Sequence, residues 1–172
     1  MQPWIFEQQV VPKRDKMFRF ALRLMGNPED ARDIVQDAFL KIWNQQKQLY
    51  EVENMEAWCM RIVKNLCLDS LKAGKVRKEA IKSVQMNQSD DYTANPYQQA
   101  EKEDNMNRIR RLIDELPEKF RMIIHLRDIE EFSYKEIMEM MELSLDEVKV
   151  NLFRARKMLK DKLIKNHEYG LS

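Results

Sequence analysis

Within "SYKEIMEMMELSLDEVKVNLFRARKML", residues 133–159, Ser133 is followed three positions later by Glu136, and Ser144 by Glu147. A Ser with Glu at that spacing closes two reciprocal hydrogen bonds over the first turn of a helix. Both helix starts are therefore fixed, and the residues between them must turn tightly. Ile137, Met138 and Met141 in the first helix, and Leu145, Val148, Leu152, Ala155 and Leu159 in the second, recur at helical spacing. Each helix has one apolar face to bury.

The rest of the chain supplies the layer they need. Met17, Phe18, Ala21, Leu22 and Met25 form a helical stripe that Gly26 ends. Asn27 can cap the next helix, with Pro28 in its first turn and Glu29 and Asp30 at the positive end of its dipole. Its apolar stripe runs Ala31, Ile34, Val35, Ala38, Phe39, Ile42 and Trp43. A third long helix is expected from near Asn54. From Ser83 to Gln99 the text turns to Gln, Asn, Asp and Ser without apolar period, which reads as a linker. Met106, Ile109, Leu112, Ile113 and Leu116 then begin a second helical module, which Pro117 restarts and Phe120, Ile123, Ile124 and Leu126 continue. The expected fold is all-α: an N-terminal helical bundle (1–82), a flexible linker (83–100) and a C-terminal helix-turn-helix domain (101–172).

Three Gly residues leave no phosphate-cradling loop. His125 and His167 have no second ligand at helical spacing, and Cys59 and Cys67 read as reduced core thiols. No enzyme activity, metal or cofactor is expected. No run of 18 apolar residues occurs, so membrane insertion is not expected and the cytosol is.

Net charge is only +1, but the charge is segregated. The outward face of the last helix would present Lys149, Asn151, Phe153, Arg154, Arg156, Lys157 and Lys160, a set suited to a DNA major groove. Immediately before it stand Asp128, Glu130, Glu131, Glu136, Glu139, Glu142, Asp146 and Glu147, opposed by Lys135. Near phosphates those carboxylates cost affinity. A second basic run, Arg61, Lys64, Lys72, Lys75, Arg77, Lys78 and Lys82, follows Trp58. Cations with an aromatic suit a single strand, although a solvated face and a core Trp fit the same residues.

"NPEDARDIVQDAFLKIW", "AWCMRIVKNLCLDSLK" and "LPEKFRMIIHLRDIEEFSYKEIMEMMELSLDEVKVNLFRARKML" together resemble the second and fourth regions of bacterial RNA polymerase sigma factors of the extracytoplasmic-function (ECF) group of the sigma-70 family. The resemblance implies binding to core RNA polymerase, at the clamp helices of its largest subunit and at its flap. It places Asp33, Gln36, Asp37, Leu40 and Lys41 on the clamp. It assigns Asn54, Trp58, Arg61, Lys64, Asn65, Asp69 and Lys72 to recognition and opening of the promoter −10 element. Lys149, Asn151, Phe153, Arg154 and Arg156, with Lys157 and Lys160 beside them, fall to the −35 element. An anti-sigma factor is implied as a further partner. The chain departs from the family pattern where Gly commonly stands, at Glu131 and Glu142, and where Ser-Arg commonly stands, at Val150 and Asn151.

Such a chain would bind promoters feebly alone, because the acids oppose its −35 reader, and would gain affinity once the polymerase positions both modules. A drawn-out linker of about 20 residues reaches about 65 Å, enough for the roughly 55 Å between two sites one and a half turns apart. A decoy that sequesters an anti-sigma factor, or a stand-alone helix-turn-helix regulator, are the alternative readings.

Overall fold

The computed structural model describes residues 3–82 and 101–169; the expected linker lies outside the described residues. The described residues are helical, with no strand among them. After a helical N-terminal segment, α1 spans Arg14–Met25, α2 Pro28–Asn44 and α3 Met55–Lys82. Gly26 ends α1 at φ +73°, where its N–H reaches the Leu22 carbonyl, a conformation that a side chain would penalise. Asn27 caps α2 by accepting from the N–H groups of Glu29 and Asp30. Asn54 does the same for α3, accepting from Ala57 N–H at 3.0 Å. The three helices pack on one another around Met17, Phe20, Ile34, Ala38, Ile42, Met60 and Val63.

In the second half, α4 (Glu101–Asp114) and α5 (Glu118–Ile124) lead into a widened helical turn, His125–Ile129. Then come α6 (Tyr134–Met141) and α7 (Leu145–Tyr169). Both capping boxes close as the spacing predicts. Ile137 and Met140 are buried under α6, and Val148, Leu152 and Ala155 under α7. Of the expected core, Leu145 (40%) and Met106 (55%) are exposed, and Met138, Met141 and Leu159 are only partly buried. α7 packs on α4, α5 and α6, which gives the helix-turn-helix.

The modules do not stand apart. Buried residues of both halves, from Ile5 to Ala155, form one continuous apolar cluster. α1 packs against α5 and the widened turn, and α3 against α6.

Candidate nucleic-acid and polymerase interface

Three surfaces carry the candidate residues. On α2, Asp33, Gln36, Asp37, Leu40 and Lys41 share one face at i, i+3, i+4, i+7 and i+8 spacing, and all five are exposed. Leu40 is 62% exposed, an apolar side chain ringed by charge.

On α7, Lys149, Phe153, Arg154, Arg156, Lys157 and Lys160 are exposed, with Phe153 at 69%. Arg156 is already engaged: its Nε donates to Asp128 at 3.1 Å, which raises the guanidinium pKa further. Asn151 departs from expectation. It is buried, because three residues after Val148 and four before Ala155 it falls on the inward stripe of α7. It does not belong to the outward set.

On α3 the expected −10 residues meet the other module. Asn54 donates from Nδ2 to Glu136 at 3.1 Å, and Arg61 donates to Glu142. Lys64 lies 3.7 Å from the same Glu142 carboxylate and is only 5% exposed. Burial lowers its pKa, partly offset by Glu142. Lys64 was expected on an open basic face; the end of α6 covers it instead. Trp58 is half-buried against the core, Asn65 is half-buried, and Asp69 and Lys72 are exposed. Side chains beyond Gly74, including Lys75, Arg77, Lys78 and Lys82, lie outside those described.

A second set of contacts holds α1 to the widened turn. Arg19 donates two hydrogen bonds to Glu130, at 2.6 and 3.0 Å. Arg23 donates to Asp114 at 2.8 Å and to Nδ1 of His125 at 3.3 Å. The His125 ring stacks on Phe20, with centroids 5.6 Å apart, and its Nε2 is 3.5 Å from Glu130. Burial, with Arg23 and Arg19 adding to it, lowers the His125 pKa against the pull of Glu130; Nδ1 accepts from Arg23, and Nε2 faces the carboxylate without a hydrogen bond to it. Burial alone would raise the pKa of Glu130; His125 and Arg19 outweigh it and hold the group at about 2.

Four of the eight acids in front of the last helix therefore have partners elsewhere in the fold. Asp128 holds Arg156, Glu130 holds Arg19, Glu136 caps α6 and holds Asn54, and Glu142 holds Arg61. Charge counting could not find these pairings, since each partner is at least 28 positions away except within the cap. The one available signal was Glu142 itself, a carboxylate at a turn position that favours Gly.

The family profile described as "Sigma-70 region 2" matches residues 13–77, and "Sigma-70, region 4" matches 106–159. The chain belongs to the sigma-70 family, in its ECF group. It is 32% identical to the ECF RNA polymerase sigma factor SigE of Mycolicibacterium smegmatis over 96% of its own length, and spans 63% of that relative. It is 27% identical to the RNA polymerase sigma factor SigV of Bacillus subtilis, covering 91% of this chain and 89% of the relative. Among solved structures, the sigma factor RpoE in complex with the anti-sigma factor NepR from Bartonella quintana superposes with a TM-score of 0.73, at 22% identity, over 92% of this chain and 96% of that one. CnrH in complex with the cytosolic domain of CnrY gives 0.65, at 21% identity, over 94% and 88%. In this sigma chain α1 to α3 are region 2, and the helix-turn-helix of α6 and α7 lies in region 4.

Proposed function

We propose that the chain is an alternative sigma factor that binds core RNA polymerase and directs initiation at promoters carrying its own −10 and −35 elements. The observation that carries this is the pairing of two sigma-70 regions in order with a fully exposed α2 face, Asp33, Gln36, Asp37, Leu40 and Lys41, that has an apolar centre and a charged rim. Such a patch is the anatomy of a docking surface. Residues 1–82 would serve as the polymerase-binding and −10 domain, 83–100 as linker and 101–172 as the −35 domain. Asn54, Trp58, Arg61, Lys64, Asn65, Asp69 and Lys72 are the −10 candidates. Lys149, Phe153, Arg154, Arg156, Lys157 and Lys160 are those for −35.

No chemical step falls to this chain; it acts by positioning DNA on an enzyme that carries the chemistry. An anti-sigma factor is a further partner, a reading supported by the solved neighbour RpoE, which is held in complex with the anti-sigma factor NepR. No described helix is long and apolar enough to cross a membrane, which is compatible with action in the cytoplasm beside the polymerase. Run-off transcription with purified core enzyme and a genomic template library tests the proposal. Discrete transcripts sharing two upstream elements are expected, and no sigma-dependent transcript would refute it.

A further inference from the structure

Two apolar side chains stand on the solvent side of α7, Val150 at 46% and Phe153 at 69% exposure. Val148, Leu152 and Ala155 are buried, and Val150, two residues after the first and two before the second, therefore points away from the core. Phe153 stands one turn further along the same outward line, with the exposed Lys149 and Arg154 on either side of the pair. Among the described residues, neither Val150 nor Phe153 belongs to the apolar cluster that joins the helices. Both fall in the N-terminal half of α7, the part that the second helix of a helix-turn-helix presents to base edges. Neither side chain can donate or accept a hydrogen bond.

We propose that Val150 and Phe153 read thymine: each covers the C5-methyl group of a thymine in the major groove of the −35 element, and together they set a preference for A·T pairs that hydrogen bonding does not supply. The thymine methyl is the apolar group that the major-groove edges offer, and contact with it is how an apolar side chain discriminates bases there. Side chains one turn apart have Cβ atoms about 5–6 Å from each other, and successive bases rise about 3.4 Å, so the two contacts fall on adjacent or next-adjacent base pairs. Beside Phe153, the cations Arg156, Lys157 and Lys160 line a depression with Tyr134. Arg156 is fixed there by its two bonds to Asp128, at 3.1 and 2.5 Å. Such cations suit phosphates, which set the register of a helix on DNA and carry no sequence information. This inference rests on the −35 assignment of α7 and deepens it by naming the base; Val150 lies outside the set that the charge pattern selects.

The test uses the full chain bound to core RNA polymerase and a pool of promoter duplexes randomised upstream of the start site. Duplexes retained by the sigma-bearing enzyme should share two elements, the farther upstream of which contains two thymines, on either strand, within two base steps. Replacing each of these thymines by deoxyuridine deletes the methyl and keeps every hydrogen-bonding group. Filter-binding titrations should then show affinity falling about fourfold per methyl. With Val150→Ser the loss at one of the two positions should vanish, and with Phe153→Ala the loss at the other, while both variants melt as the wild type does because both side chains are exposed. Lys157→Ala should weaken binding to every sequence alike and leave the deoxyuridine effect intact. Deoxyuridine bound as tightly as thymine overturns the proposal, as does a loss that both Val150→Ser and Phe153→Ala leave unchanged. A sigma-bearing enzyme that retains no shared farther-upstream element refutes the −35 assignment itself, so the two failures are told apart.

Discussion

The outward faces of α2 and α3 belong to one bundle, yet one is open and the other shut. On α2 the face around Leu40 is exposed, while on α3 Lys64 lies under the end of α6 and Arg61, still partly exposed, is paired with Glu142. The difference implies an order of events. On the proposed assignments, a polymerase would engage α2 without disturbing any contact between the modules, whereas DNA would reach all of α3 only after those contacts break, so docking would precede promoter opening.

The largest expected effect breaks the platform on which both faces stand. Phe20 is fully buried and also stacks on His125 of the other module. Phe20→Ala removes core packing and leaves a cavity, at a cost of roughly 3–5 kcal/mol. Denaturant melts should show that loss, and scattering in mild denaturant should show the variant expanding before the wild type. Equal melts would mean that Phe20 supports neither face.

Leu40→Asp acts on the open face alone. A central apolar side chain of an interface is worth about 2 kcal/mol or more, roughly thirtyfold in affinity. Binding to core polymerase in a pull-down titration should weaken by that amount while the melting curve stays unchanged, because Leu40 is 62% exposed and packs on nothing that the substitution removes from water. Unchanged polymerase binding would place the docking surface elsewhere.

The contact of α1 with the widened turn should respond to acid. The lowered pKa of His125 means that the unfolded chain takes up its proton first, so stability falls as pH drops below the ordinary histidine value of about 6.5. The groups facing this ring are Arg19, Arg23 and Phe20 on α1, Asp114 at the end of α4, and Glu130 after the widened turn. Glu130, held at about 2, contributes stability that is complete above the unfolded value of about 4.3 and lost as pH falls toward 2. Melts between neutral pH and pH 5 should decline in the wild type and flatten in His125→Gln. Glu130→Gln removes the charge that Arg19 pairs with and one of the two oxygens it donates to, and should cost about 1–3 kcal/mol at neutral pH.

The sequence carried the elements well and their arrangement poorly, for a physical reason. Caps and stripes are local: Gly26, Asn27, Ser133 and Ser144 each fix a helix boundary within four residues, and each does so in the structure. The family resemblance supplied the regions. What could not be read was which charges meet across the modules. An excess of acid before α7 suggested repulsion from DNA at the −35 reader, but Asp128, Glu130, Glu136 and Glu142 are held by Arg156, Arg19, Asn54 and Arg61. Asn151 was misplaced because a polar side chain on the inner stripe looks, in sequence, like one on the edge of the outer face.

The smallest effects separate a local cap from a contact between modules. Ser133→Ala and Ser144→Ala each delete a hydroxyl that accepts one helix N–H, and each should cost about 1 kcal/mol by that loss alone. The two boxes differ in what their glutamates do next. Glu147 serves its own helix, whereas Glu136 also accepts from Asn54 on α3, and its pKa is lowered because the Ser133 and Asn54 bonds outweigh burial. Losing the Ser133 hydroxyl leaves the Glu136 carboxylate its bonds from the Ser133 N–H and Asn54 but loosens the helix start that holds it against α3, whereas losing the Ser144 hydroxyl loosens α7 alone. Ser133→Ala should lower the melting point and also loosen the α3–α6 contact, read as expansion by scattering in mild denaturant, while Ser144→Ala lowers the melting point only.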